Sequence, residues 1–89
     1  MSSKNPYKVG EKYFVRTVTY HYVGKLAQIT DTELVLDQAS WVADSGRWAN
    51  ALKTGVLSEV EPYLGRVILS RAAIVDASVW NHDLPKEQK

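Results

Sequence analysis

The chain of 89 residues contains no cysteine and only one methionine and one phenylalanine. Without cysteine, disulfide bonds and thiolate metal sites are both excluded. No segment approaches the roughly 18 consecutive apolar residues of a membrane-spanning helix, so the sequence predicts no membrane partner. The N-terminal residues lack the apolar segment of a signal peptide. Together these absences predict a cytoplasmic protein.

A large excess of charge of either sign is also missing. Eleven Lys and Arg residues oppose ten Asp and Glu residues, which leaves a net charge of +1. Proteins that bind long nucleic acids usually carry a clear basic excess, whereas a small anionic ligand needs only a few cations at its site. The length predicts a single domain, 1–89, with the polar ends 1–8 and 82–89 as flexible tails.

The chain has short segments rich in Val, Ile, Tyr and Trp, most of which alternate with polar residues. This period of two is typical of strands. It predicts five strands, at residues 12–19, 23–30, 33–43, 66–70 and 74–80. Residues 20–22 either end the first strand or form the tip of a turn. The predicted fold is therefore all-β with a minor helical part, and five strands favour a small barrel because closure removes exposed edges.

An insertion from about residue 44 to residue 63 separates the third and fourth predicted strands. It opens at Asp44-Ser45-Gly46, the clearest break in the chain. Residues 47–54 form either one or two helical turns capped by Gly55 or part of an extended hairpin. Glu61-Pro62 then marks a break before the fourth strand, because the residue before a proline is restricted to extended conformations.

Two segments resemble the motifs of Sm-like proteins. Residues 24–39 resemble the first motif, a bent strand opened by Gly, a turn containing Asp, and a Leu-Val-Leu-Asp strand. Residues 67–75 resemble the second, in which two short strands flank an Arg-Gly turn. The resemblance implies a five-stranded Sm-like or SH3-like barrel, a homo-oligomeric ring built through edge strands, and RNA as a partner.

Three features of this chain depart from that family. Glu33 stands where the family has the Asn that contacts a base, and Ala72 stands for the Gly of the Arg-Gly pair, although Arg71 is kept. The N-terminal helix of the family is also missing. Because glutamate repels phosphate, these departures move the expected ligand from RNA towards a small molecule or a protein.

The whole chain also resembles small uncharacterised proteins of tailed bacteriophages. Phage proteins of this size often act on host components, and one group consists of oligomeric proteins that trap nucleotide immune signals. The resemblance implies an anti-defence role in the host cytoplasm.

No catalytic motif is present: the chain has no phosphate-binding Gly-rich loop, no nucleophile elbow and no His-Glu-x-x-His. Its two histidines, His21 and His82, lie near opposite ends of the sequence, and the carboxylates are scattered. The sequence therefore predicts a protein that is not an enzyme, with no metal site and no cofactor.

Aromatic residues and arginines are the candidate ligand contacts. Tyr20, His21 and Tyr22 can form a stacking platform for a base, with His21 bonding a polar edge, or can serve strand packing alone. Trp41 is either a core or interface anchor or a stacking residue. Arg47 and Trp48 can pair with a phosphate and stack on a base, or Trp48 can anchor the core.

Two further arginines, Arg66 and Arg71, flank the fourth predicted strand. They are either ligand contacts in a shared groove or solvated partners of Asp and Glu.

Three functions follow from these residues. The first is an oligomeric binding protein that sequesters a small nucleotide-like ligand. The second is an Sm-like ring that binds RNA. The third is a protein–protein adaptor or a phage structural component, because three Trp and five Tyr suit an interface.

Overall fold

A computed structural model of the chain describes residues 6–89; residues 1–5, most of the predicted N-terminal tail, lie outside that range. Its elements, in chain order, are the strands β1 (Lys12–Thr17), β2 (His21–Ile29) and β3 (Glu33–Asp44), the helix α1 (Trp48–Thr54), and the strands β4 (Glu59–Pro62), β5 (Val67–Ser70) and β6 (Ile74–Val79). A 3-10 turn, Arg71–Ala73, joins β5 to β6. The protein is thus mostly β with one short helix.

The strands pair antiparallel in one sheet with the order β4-β3-β2-β1-β6. One edge of β3 carries two further strands in succession: residues 33–36 pair with β5, and residues 40–44 pair with β4. Within residues 6–89 no ladder joins β6 to β4 or β5, so the backbone pairing leaves the sheet open.

The structure has six strands where the sequence predicts five. The additional strand is β4, which lies inside the predicted insertion and contains Pro62. Proline has no amide hydrogen and normally marks a break, but it is tolerated at the end of a strand. Of the two alternatives for residues 47–54, the helix is confirmed: α1 ends at Gly55, whose φ of 79° lies in the left-handed region that favours glycine.

Both faces of the sheet bury apolar side chains. In β1, Tyr13 and Val15 belong to one core cluster, and Phe14 between them belongs to another. The first face is defined here by the cluster of Tyr13, Val15, Leu26, Leu34, Leu36, Ala39, Val67 and Leu69. The second face is defined by Phe14, Val23, Val42, Ala51, Leu57, Val60 and Trp80. A single sheet therefore separates two small cores.

The predicted insertion covers the second face. Ala51 of α1 is fully buried there, and Leu57 follows it into the same cluster. The helix has no side-chain hydrogen bond at its N-cap, so its position depends mainly on this packing.

The residues after β6 also lie against the sheet. A ring nitrogen of His82 is 2.8 Å from the carbonyl oxygen of Leu52. The backbone of Lys89 donates to the carbonyl of Val60 at 2.9 Å and accepts from its amide at 3.2 Å. Composition predicts a flexible tail at 82–89, whereas the structure gives this segment defined contacts with α1 and β4.

Gly24 permits a close approach between β2 and β3. A side-chain carbon at this position would lie 3.0 Å from Cβ and 3.1 Å from Cα of Ala39, and 3.2 Å from Cβ of Leu36. The ladder shifts register opposite Gly24, and Gln38 there has a φ of 52°. Both features are those of a β-bulge, which bends a strand and increases its twist. This bulge therefore bends β3 near Ala39.

We expect Gly24→Ala to destabilise the protein by about 1–3 kcal/mol, because the added methyl overpacks a site where one neighbour is backbone. The measurement is the free energy of unfolding from denaturant titration. Gly65→Ala is the matched control, since a Cβ at Gly65 meets nothing within 4 Å. We expect this control to change stability by less than about 1 kcal/mol. Equal effects of the two substitutions would contradict the close approach at Gly24.

Candidate ligand-binding surface

Three of the predicted aromatic residues meet on the first face, at the end where β2 begins. Tyr22 is directly opposite Trp41 in the β2–β3 ladder, so the two side chains share one side of the sheet. Tyr20, two residues before Tyr22, meets Trp41 edge to face, with ring centroids 5.8 Å apart and an interplanar angle of 88°. A turn holds Tyr20 in place: its amide donates to Oγ1 of Thr17 at 3.0 Å.

A fourth aromatic residue, Tyr63, extends this group. Its ring stacks with that of Tyr22 at 6.3 Å and 27°, and its amide donates to the carbonyl of Ala39 at 2.9 Å. We call Tyr20, Tyr22, Trp41 and Tyr63 the aromatic face. Sequence reasoning missed Tyr63 because Glu61-Pro62 indicated a break. The available signal was the alternation of Val60 with its acidic neighbours, which is typical of a strand.

A notch of about 270 Å³ lies at the edge of the aromatic face. It is lined by Thr19, Tyr20, His21, Trp41, Val42 and Ala43. Tyr20 is 52% exposed, so a planar molecule can reach its ring from solvent. His21 supplies ring nitrogens that can donate or accept a hydrogen bond at the same place. The notch therefore combines stacking surfaces with a polar edge.

The Tyr22 phenol loses its proton less readily within this group than an exposed tyrosine does. Its partial burial raises the pKa of Tyr22 above the ordinary tyrosine value, and the nearby Tyr63 and Tyr20 phenols raise it further. The side chain thus stays neutral at physiological pH and offers a hydroxyl donor.

A second concavity, of about 1040 Å³, is lined by residues 83–89 and by part of the sheet. Lys12, Gln38 and Tyr63 line it together with that C-terminal segment. Tyr63 therefore borders both the aromatic face and this wider groove.

Trp48, predicted as either a ligand contact or an anchor, lies on the second face. Its ring meets that of Phe14 with centroids 4.7 Å apart, and the guanidinium of Arg16 lies 5.6 Å from the Trp48 ring centroid. Arg16 in turn donates two hydrogen bonds to Asp76, one of them at 2.7 Å from Nε. This ion pair lowers the pKa of Asp76, principally through the hydrogen bond from Arg16. These contacts support the anchoring interpretation.

Of the other predicted residues, His21 lines the notch, whereas Arg66 and Arg71 lie elsewhere. His21 contacts the aromatic notch on one side and the Phe14 ring, 5.8 Å away, on the other. Arg66 pairs with Asp37, its Nε 2.9 Å from the carboxylate. Arg71 donates to the carbonyl of Thr30 at 2.7 Å, beside the turn between β2 and β3.

The arginines therefore occupy separate places. Arg47 precedes α1 and is exposed, without a capping hydrogen bond from its side chain. Arg71 also lies over the ring of Tyr7, with its guanidinium carbon 5.7 Å from the centroid. Arg66 and Arg71 thus have separate hydrogen-bond partners, and neither lines the notch.

Two further classes of site are missing from the described residues. Within residues 6–89, no three His, Cys, Asp or Glu side chains lie close enough together to hold a metal ion. The same part of the chain contains no helix of the length and hydropathy required to cross a membrane.

We expect nuclear magnetic resonance titration to show Tyr22 ionising above the ordinary tyrosine pKa. Because the folded state holds this proton more tightly than the unfolded state, stability falls as the pH rises past the unfolded value near 10. Tyr63→Phe removes one of the causes and should move the Tyr22 pKa back towards the ordinary value. A wild-type Tyr22 that titrates at or below that value would contradict the geometry.

We expect Trp48→Ala to lower the free energy of unfolding by about 2 kcal/mol or more, because it removes the ring that packs on Phe14. The adjacent Arg47→Ala is the control, and its effect should stay within about 0.5 kcal/mol because the side chain is exposed. Thermal and denaturant unfolding measure both. A loss at Arg47 as large as that at Trp48 would contradict the assigned roles.

Comparison with known proteins gives no family for this chain: no family model matches it, and neither a curated protein nor a solved structure matches it significantly. Because fold alone does not determine function, the geometry of the site carries the functional inference.

Proposed function

We propose that this chain is a non-enzymatic binding protein whose ligand contains a planar, nucleobase-like ring. The observation that carries the proposal is the notch in which Tyr20 and Trp41 meet edge to face beside His21. Aromatic rings bind bases through their flat surfaces, and each stacked base contributes about 1–3 kcal/mol. His21 and the Thr19 hydroxyl supply the hydrogen bonds that distinguish one ring edge from another.

The proposed scaffold is a curled sheet of the Sm-like or SH3-like barrel type. In a flat sheet, β5 and β6 would lie four strand spacings apart, about 19 Å. The turn between them contains three residues, Arg71–Ala73, and a 3-10 helix rises only about 2 Å per residue. The sheet must therefore curl so that β5 on β3 and β6 on β1 approach each other, which supports the barrel.

A homo-oligomer is part of the same proposal. β5 and β6 each pair with one strand within residues 6–89, so each has an edge on which another chain can add. Ile68 on β5 is 65% exposed and Val75 on β6 is 64% exposed, which favours coverage by a partner. The phage anti-defence role, in which the ligand is a nucleotide-derived signal, stays a prediction from the resemblance.

The alternative of an Sm-like RNA-binding ring has less support. Arg71, the basic residue kept from the family motif, already donates to Thr30 and lies over Tyr7. The adaptor alternative is favoured by one observation: Leu64, in the loop before β5, is fully exposed, and Ile68 on β5 is largely exposed.

The test is to denature the purified protein, identify any released small molecule by mass spectrometry, and titrate the refolded protein with nucleosides and nucleotides by calorimetry. We expect Trp41→Ala and Tyr20→Ala each to weaken binding of a base-containing ligand by about tenfold or more, as lost stacking requires.

Val56→Ala serves as the control, since this exposed residue lies outside the notch and outside the edge strands β5 and β6. It should leave the monomer's intrinsic affinity unchanged. A protein that binds no nucleoside or nucleotide in any titration would overturn the proposal, and a stoichiometric protein partner in its place would favour the adaptor alternative.

A further inference from the structure

Two carboxylates flank the aromatic face on β4. Glu61 is directly opposite Trp41 in the β3–β4 ladder, which places both side chains on one side of the sheet. Val60 is fully buried in the second cluster. Because side chains alternate along a strand, its neighbours Glu59 and Glu61 both project towards the first face. Both are exposed.

The basic residues of the strands lie on the other side. Within the six strands the Lys and Arg residues are Lys12, Arg16 and Lys25. Lys12 and Arg16 alternate in step with Phe14 of the second cluster, and Lys25 pairs directly with Lys12. These three cations therefore project from the second face, and Arg16 is already paired with Asp76.

At Trp41 this separation of charge gives the aromatic face an electrostatic preference, whereas at Tyr63 the face borders the concavity that Lys12, Lys86 and Lys89 line. The flat surfaces of Trp and Tyr rings carry negative potential and attract cations. Glu59 and Glu61 add full negative charges at the same border, and phosphate beside them would be repelled. The Tyr22 phenol, which stays protonated, adds a neutral donor to this surface.

We propose that the aromatic face binds a positively charged planar ring, of the class of N-alkylated heteroaromatic bases, with Glu61 as the counter-ion. This inference rests on the proposed function and specifies the charge of the ligand's ring. Any phosphate that the ligand carries has to extend away from β4.

The stacking partners and the counter-ion have complementary roles. Trp41 lies between Tyr22 of β2 and Glu61 of β4 in one row across the sheet. A ring placed over Trp41 therefore has π surface beneath it and a carboxylate beside it. A neutral ring gains only the stacking, whereas a cationic ring gains both interactions.

The experiment compares two nucleosides that carry the same added methyl group. 1-Methyladenosine is cationic at neutral pH, whereas N6-methyladenosine is neutral. Calorimetric titration of the full chain should show the cationic nucleoside binding about tenfold more tightly, as a partly desolvated cation–π contact with a carboxylate predicts. Raising the salt concentration should reduce this preference.

Glu61→Gln tests the counter-ion, since it removes the charge and keeps the shape. We expect it to reduce the preference for 1-methyladenosine severalfold while leaving the affinity for N6-methyladenosine unchanged. Glu33→Gln is the matched control: it makes the same change of net charge at the exposed start of β3, far from Trp41 along the strand. This control should keep the preference.

The outcomes separate the two proposals. Equal binding of both nucleosides, abolished by Trp41→Ala, would overturn the charge inference and leave the proposed function standing. A preference that survives Glu61→Gln would overturn the role of Glu61. Failure of both nucleosides and of adenosine to bind would overturn the proposed function itself.

Discussion

The close approach of β2 and β3 at Gly24 determines how the rest of the sheet is built. With no side chain on Gly24, Ala39 packs directly against the β2 backbone, and the bulge at Gln38 bends β3. The bend divides β3 into two segments. The first segment pairs with β5 and the second with β4, on the same edge of the strand. One strand thus supports two partners, which pair with different residues along the same edge.

The place where the edge changes partners is stabilised by side chains as well. Arg66, just before β5, pairs with Asp37 immediately before the bulge. Tyr63, just after β4, donates its amide to Ala39 immediately after it. The link between β4 and β5 is therefore tied to β3 at both of its ends. One consequence is functional, since the bond at Ala39 is what brings the Tyr63 ring onto Tyr22.

Burial on both faces explains why the insertion is mainly structural. A small sheet with apolar residues on both faces needs other segments to cover each face. A chain of this length has few residues outside the strands that can do so. On the second face α1 and the C-terminal segment supply that cover. Trp48 is used in this way, packed on Phe14 beneath Arg16. The first face carries the aromatic face, beyond the end of its own core.

The sequence predicted those elements whose signal is local. Period-two alternation located β1, β2, β3, β5 and β6, each close to its observed bounds. It missed β4, because that strand is short and ends in Pro62. Its pairing is determined by the edge that the β3 bulge makes available, and a local pattern does not contain that information.

The residues of the candidate site likewise divide into those that the sequence could place and those that it could not. Tyr20 and Tyr22 could be grouped because they are close in sequence, whereas the position of Trp41 opposite Tyr22 follows from the β2–β3 register. The arginines could not be placed, since their neighbours come from distant parts of the chain. Arg71 contacts Tyr7 and Thr30, and Arg66 contacts Asp37. In each case a carbonyl, ring or carboxylate from another part of the chain contacts the guanidinium. The sequence alone does not show these contacts, so it presents each arginine as free to bind a ligand.

The net charge of the chain does not reveal how charge is distributed between the two faces of the sheet. A value of +1 indicates a neutral surface, yet the strands carry Lys12, Arg16 and Lys25 on one face and Glu59 and Glu61 on the other. The sign of charge that a ligand meets depends on which face holds the aromatic rings. That depends on the parity of each strand, and the bulge at Gln38 resets the parity of β3. The same backbone feature that lets β3 hold two partners therefore also places Trp41 beside Glu61, on the side of the sheet away from the strand cations.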